Sequence, residues 1–319
     1  MNTPTRVVGF LAVIAAVFGI ALGVGNAVGP FSEPDSTAHD AGDGDSDPGD
    51  SGEGPRPALA SQIPGGLMVS QNGYSLSLVG PQATVGRSVP VAFTINGPDG
   101  RPVTAYDVEH EKRLHLIAVR RDFTGFQHVH PTLDTEGVWS TDLDLLPGQW
   151  RLFADFKATG ADALTLGADL VVAGDYQPAV NGAESRTANV DGYTVALDGD
   201  LASGADAKLT LSVSKDGEPV TDLEPYLGAY GHLVALREGD LAYLHVHPDG
   251  SPGDGTTQPG PAVVFYAAVP SAGSYRLYFD FEHDGMVRTA DFTVNTTGSV
   301  ATETPAPSDN RSEDGHSGH

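Results

Sequence analysis

Apolar and polar residues alternate with period two through most of the middle of this chain. Tyr74-Ser-Leu-Ser-Leu, Val89-Pro-Val-Ala-Phe-Thr-Ile, Gln149-Trp-Arg-Leu-Phe-Ala-Asp-Phe and residues 168–172 read as strands of one unit. Tyr193-Thr-Val-Ala-Leu, Ala207-Lys-Leu-Thr-Leu-Ser-Val, Ser274-Tyr-Arg-Leu-Tyr-Phe-Asp-Phe and residues 289–294 read as the same strands of a second unit. Turn signals fall every 8–12 residues or so, and no helical stripe appears, which predicts antiparallel sandwiches. The reading is all-β: two tandem immunoglobulin-like or cupredoxin-like β-sandwich domains of about 110 residues, at 64–175 and 186–295.

The two units are an internal repeat. Asp99-Gly-x-Pro-Val-Thr recurs as Asp216-Gly-x-Pro-Val-Thr, an offset of 117. His115, His128 and His130 recur at the same offset as His232, His245 and His247, each trio followed by Pro. Ungapped, residues 98–131 and 215–248 share 13 of 34 positions.

The flanks are of another kind. Residues 7–28 form an uncharged apolar run behind Arg6. Spanning a bilayer takes about 20 residues, against about 7–15 for a signal-peptide core. The length favours a retained transmembrane anchor with the N-terminus inside, while Gly25-Asn26-Ala27 is compatible with cleavage; either puts the rest outside the cytoplasm. Residues 29–63, rich in Asp, Gly, Ser and Pro, read as a disordered acidic tether, and 296–319 as an acidic tail containing His316 and His319.

Composition narrows the chemistry. The net charge is −25, with 17 basic against 42 acidic residues, which argues against nucleic acid and anionic lipid as partners. Cysteine is absent, so disulfides, thiolate metal sites and cysteine nucleophiles are excluded. No phosphate-binding loop, Gly-x-Ser-x-Gly elbow, His-Glu-x-x-His or calcium loop is present. No general base stands out, and the chain reads as a non-enzyme.

The histidines carry the remaining signal. If Asp122-Phe-Thr-Gly125 is a four-residue turn, Arg121 pairs with Phe126 and Ile117 faces His130. His115, His128 and His130 then share one face, with His115 diagonal to His130 at roughly 7–8 Å between backbones. His128 lies four rungs from His115, roughly 13 Å, so a flat site for all three is strained. The closing strand offers Asp155 in the first unit and Asp280 in the second, both on the face opposite the Trp/Leu/Phe parity. Neutral imidazoles with these carboxylates suit Cu(II) or Zn(II), and without thiolate or nearby Met a Cu(I) or blue-copper site is excluded. The candidate ligands are therefore His115, His128, His130 and Asp155, with His232, His245, His247 and Asp280. The competing reading makes the histidines hydrogen-bonded rim residues of an interaction module for protein or polysaccharide. Tyr226 and Tyr230 beside His232 favour it. His110, whose counterpart is Leu227, reads as a surface residue, and His283 as a loop residue.

Glu111-Lys-Arg-Leu-His-Leu-Ile-Ala-Val, Phe126-Gln-His-Val-His-Pro, Leu152-Phe-Ala-Asp-Phe and Tyr243-Leu-His-Val-His-Pro resemble the marks of a family of uncharacterised bacterial secreted or membrane-anchored proteins. The resemblance spans both units. Such proteins are often labelled heavy-metal-associated, which implies a metal transporter or other envelope protein as partner. The expectation is thus a membrane-tethered binding protein that buffers or delivers metal.

Overall fold

The computed structural model describes residues 63–296, apart from 181, 204, 205 and 245. The apolar run at 7–28, the tether up to residue 62, the tail beyond 296 and His245 lie outside the described residues. No helix among the described residues is long and apolar enough to cross a membrane.

The first repeat contains β1 (Ser70–Gln71), β2 (Tyr74–Leu78), β3 (Gln82–Ala83), β4 (Gly86–Asn96), β5 (Leu114–Arg120), β6 (Gln127–Val129), β7 (Thr132–Leu133), β8 (Val138–Leu145), β9 (Gly148–Phe156) and β10 (Leu164–Val172). The second contains β11 (Thr187–Val190), β12 (Tyr193–Asp198), β13 (Asp206–Lys215), β14 (Glu218–Pro219), β15 (His232–Arg237), β16 (Tyr243–Leu244), β17 (Val246–Pro248), β18 (Ala262–Ala268), β19 (Ser274–His283) and β20 (Met286–Asn295). The all-β, antiparallel expectation holds. Strands β8 and β18, which the sequence reading leaves unassigned, complete the sheets.

The sheets of the first repeat run β1-β2-β4-β8-β7 and β3-β10-β9-β5-β6; those of the second run β11-β12-β13-β18-β17 and β16-β15-β19-β20. This is the immunoglobulin order of strands A, B, E, D facing G, F, C. The short β3 joins β10 in parallel; the other pairings among the described strands are antiparallel. Alternation explains the outer strands: in β12, Tyr193, Val195 and Leu197 are buried while Thr194, Ala196 and Asp198 face water. One core gathers Phe93, Ile95, Trp139, Trp150 and Leu152, the other Leu209, Phe265, Tyr275, Leu277 and Phe292.

Strands β5 and β15 do not alternate. Every residue of β5 is buried, and five of the six in β15. One parity of β5 (Leu114, Leu116, Ala118) enters the first core, and the other (Ile117, Val119) joins a third cluster with Phe123, Phe153, Val234, Leu236, Leu241 and Tyr278. That third cluster is the seam between the two sandwiches, which dock by equivalent sheets. Phe126 stacks on Tyr278 (centroids 4.0 Å, planes 6° apart), and its repeat counterpart Tyr243 meets Phe153 at 5.8 Å. The Tyr278 hydroxyl donates to the Phe123 carbonyl across the seam at 2.7 Å. At about 1.5–3 kcal/mol per buried large apolar side chain, this seam ties the repeats into one body.

The histidine hairpin corrects the expected register. Ile117 pairs with His128 and Ala118 with Gln127, a shift of two residues from the four-residue-turn pairing. Arg121 does not pair with Phe126; its N–H bonds to the Gln149 carbonyl of β9 instead. The turn widens because the Asp122 carboxylate gathers Arg120 Nε and Thr124 N and Oγ1. Gly125 sits at φ +69° over Trp150, where a Cβ would come within 2.6 Å of the indole. A shift of two preserves the face and halves the separation of His128 from His115, from four rungs to two.

Candidate metal centre between the two sandwiches

Register places the site. On the seam-facing side of the first sheet, His115, Asp155 and Thr165 form one transverse rung across β5, β9 and β10. On the second, His232, Asp280 and Thr289 form the same rung across β15, β19 and β20. Each aspartate accepts its threonine hydroxyl, Thr165 to Asp155 at 2.9 Å and Thr289 to Asp280 at 2.6 Å.

The two rung histidines are oriented alike. His115 Nε2 lies 3.1 Å from the Glu109 carbonyl, and His232 Nε2 lies 2.9 Å from the carbonyl of Tyr226, the residue equivalent to Glu109. A carbonyl only accepts, so each Nε2 carries the proton and each neutral ring offers Nδ1 as its lone pair.

His128 links the halves. Its Nε2 is 3.0 Å from His115 Nδ1, and its Nδ1 is 2.9 Å from Asp280 Oδ2 of the other sandwich. Because His115 Nδ1 is an acceptor, His128 Nε2 donates, and a second proton occupies the His128–Asp280 contact. His130 completes the group: ring centroids stand 5.3 Å apart for His115–His128 and 5.0 Å for each pair that includes His130. Its Nε2 is buried with no partner among the described residues. One ligating atom from each of the three rings lies within 4.8 Å of the others. Three nitrogens bound to one tetrahedral ion at 2.0–2.1 Å stand about 3.3 Å apart, so small ring rotations close the site.

Burial disfavours the charged form of His115, His130 and His232. It pushes the pKa of His115 down to about 3, with neighbouring His128 adding to the effect. His130 falls to about 4 by burial, then through His128 and Lys112, and His232 to about 4 chiefly by burial. Burial raises Asp155 to about 6 against the pull of the Thr165 hydroxyl. Neutral imidazole is the form that binds metal.

The eight residues singled out from the sequence distribute unevenly. His115, His128 and His130 converge, with Asp280 bonded to His128. His232 stands 6.2 Å from His128, centroid to centroid, and lines the same cleft as Asp155. His247 lines the cleft from β17 and is exposed; His245 is outside the described residues. His110 reads as a surface residue and is exposed, yet its ring packs edge-on to His232 at 5.5 Å and His115 at 6.2 Å. Nothing in the repeat pattern points to His110, since the second copy has leucine there. His283 closes β19 away from the cluster, held by the Tyr193 hydroxyl at 2.7 Å and Asp222 at 3.1 Å. The cleft above the cluster encloses about 470 Å³.

Comparison with solved structures finds distant likenesses. The Escherichia coli adhesin FdeC is 17% identical, with 72% of this chain and 65% of that chain covered and a TM-score of 0.24. Yersinia pseudotuberculosis InvD is 13% identical, with coverage of 72% and 61% and a TM-score of 0.24. A chimeric titin Z1Z2 tandem is 13% identical, with coverage of 70% and 100% and a TM-score of 0.18. The chain spans less than two thirds of the two bacterial proteins. No curated protein matches it. A family profile does match, once on each sandwich, over residues 69–172 and 188–298. The chain therefore belongs to the family described as Domain of unknown function (DUF8832).

Proposed function

We propose that this protein binds one Cu(II) or Zn(II) ion at the seam between its sandwiches, outside the cytoplasm, to buffer the metal or hand it to an envelope partner such as a transporter. The ligands are His115 Nδ1, His128 Nε2 and a ring nitrogen of His130. The observation that carries this reading is the arrangement around them: three donor atoms within 4.8 Å, with the remote nitrogens of two rings already held by the Glu109 carbonyl and the Asp280 carboxylate. Such outer partners fix the tautomer and orientation of metal-binding histidines. Only the first repeat supplies the trio among the described residues; the second supplies Asp280. Isothermal titration of Zn(II) and Cu(II) into the full-length chain carrying His316→Ala and His319→Ala tests it. Saturable binding of one ion per chain, lost on adding His128→Ala and His130→Ala in a protein that stays folded, is the expected result. Unchanged binding in that variant would refute the ligand assignment.

A second reading is a protein- or polysaccharide-interaction module with structural histidines. It is favoured by the tandem immunoglobulin-like architecture and by the exposed Val85 and Leu146, which border one groove with Phe126 and Trp150. On that reading the histidine variants lose thermal stability and no metal binds.

A further inference from the structure

The cleft over the metal centre gathers basic residues that are scarce elsewhere in the chain, alongside Glu109 and Asp155. In a protein with 42 acidic and 17 basic residues, Lys112, Arg113 and Lys157 all line this one cavity, and the chain has only four lysines. Lys157 leans toward Asp107 at 3.5 Å and Glu109 at 3.8 Å. Lys112, half-buried, and Arg113, exposed, form no ion pair among the described residues. Lys112 is the partly buried one of the two, and there its charge gives up hydration without a paired carboxylate. A divalent ion held by three neutral imidazoles adds two further positive charges beneath them. His115 and His128 line the cleft together with Lys112 and Arg113, so an ion held by those two imidazoles would border the same cavity as the two cations. The volume of about 470 Å³ suits a small organic ligand.

Resting on the metal assignment above, we infer that the cleft binds a small multivalent oxyanion, a polycarboxylate or phosphate. One of its oxygens completes the metal's coordination, and Lys112 and Arg113 neutralise its remaining charge. The metal is then carried with its co-ligand rather than as a bare ion. Arginine's planar fork suits a carboxylate in particular.

Co(II) in place of Zn(II) makes the coordination visible through its d–d absorption bands. The full-length chain carrying His316→Ala and His319→Ala is titrated first with Co(II), then with succinate or with inorganic phosphate. Succinate should move the Co(II) bands saturably. Lys112→Ala with Arg113→Ala should weaken that response by at least about tenfold, the loss of the two cations' charge-assisted contacts, while Co(II) itself binds as well or more tightly. Phosphate moving the bands with succinate inert would assign the tetrahedral oxyanion instead. Bands unmoved by either anion would overturn the inference and leave the metal site standing. An equal response in wild type and variant would also overturn it, since the metal alone would then be taking the anion. Failure of Co(II) to bind at all would remove the metal site and this inference together.

Discussion

Replacing Asp280 with asparagine separates its charge from its shape. The carboxylate is 3% exposed, accepts from Thr289 Oγ1 at 2.6 Å and contacts His128 Nδ1 at 2.9 Å. In Asp280→Asn the amide oxygen still accepts from His128, and the Thr289 hydroxyl turns to accept from the amide nitrogen. What disappears is the charge-assisted part of the His128 contact, about 1–1.5 kcal/mol by comparison of charged with neutral hydrogen bonds. Outer partners of metal-binding histidines are worth between about 10- and 100-fold in affinity, or about 1.4–2.8 kcal/mol. Zn(II) affinity of Asp280→Asn, measured by competition with a chromophoric chelator, should fall about tenfold, where the two ranges meet. Asp155→Asn is the internal comparison. Asp155 occupies the equivalent rung and is bonded to Thr165, but His128 of the trio leans on Asp280. Its substitution should change affinity by less than about threefold. Equal losses in the two variants, or no loss in Asp280→Asn, would refute a metal centre that borrows its outer partner from the second sandwich.

Three further outcomes follow from the same geometry. Metal replacing the proton between His115 Nδ1 and His128 Nε2 should release about one proton per ion, read from titrations in buffers of different ionisation enthalpy. Without metal, stability should fall as pH drops from about 6.5 toward 4. In that window the unfolded chain takes up protons that His115, His130 and His232, with pKa values lowered to about 3, 4 and 4, refuse when folded. Asp155, raised to about 6, works the other way because it holds its proton longer folded than unfolded. The net loss is on the order of 2–3 kcal/mol per pH unit, visible in urea titrations at stepped pH. Lastly, Tyr278→Ala empties the seam of a side chain 3% exposed and stacked on Phe126, at a cost of about 3–5 kcal/mol. Calorimetry should then resolve the single unfolding transition into two.

The parts legible in the sequence are those set by local parity. Period-two alternation located β2, β4, β12 and β13, and the Trp150/Leu152/Phe156 parity placed Asp155 and Asp280 on the face away from the cores. A hairpin slip of two residues keeps that parity, so the shared face of His115, His128 and His130 survives an error in register. Distance along the strand does not survive it: the roughly 13 Å expected between His115 and His128 becomes a ring-nitrogen contact of 3.0 Å. The Asp122 bonds that widen the turn are tertiary details with no periodic signature.

Docking between the repeats left a fainter trace. Leu114-His-Leu-Ile-Ala-Val and His232-Leu-Val-Ala-Leu are apolar at both parities, which is the mark of a strand covered on two sides. That run was the available clue that the repeats share one site. The carbonyls of Glu109 and Tyr226, which orient His115 and His232, leave no mark in side-chain letters. His110 escaped for the opposite reason: attention to the repeat discounts a histidine that the second copy lacks.

The most direct test of the metal assignment is X-ray absorption at the zinc edge on the full-length chain with His316→Ala and His319→Ala, loaded with one equivalent of Zn(II). Imidazole multiple scattering from three histidines with Zn–N distances of about 2.0–2.1 Å is the expected result, lost in His128→Ala/His130→Ala. A shell of oxygens alone, or a spectrum the variant leaves unchanged, would contradict it.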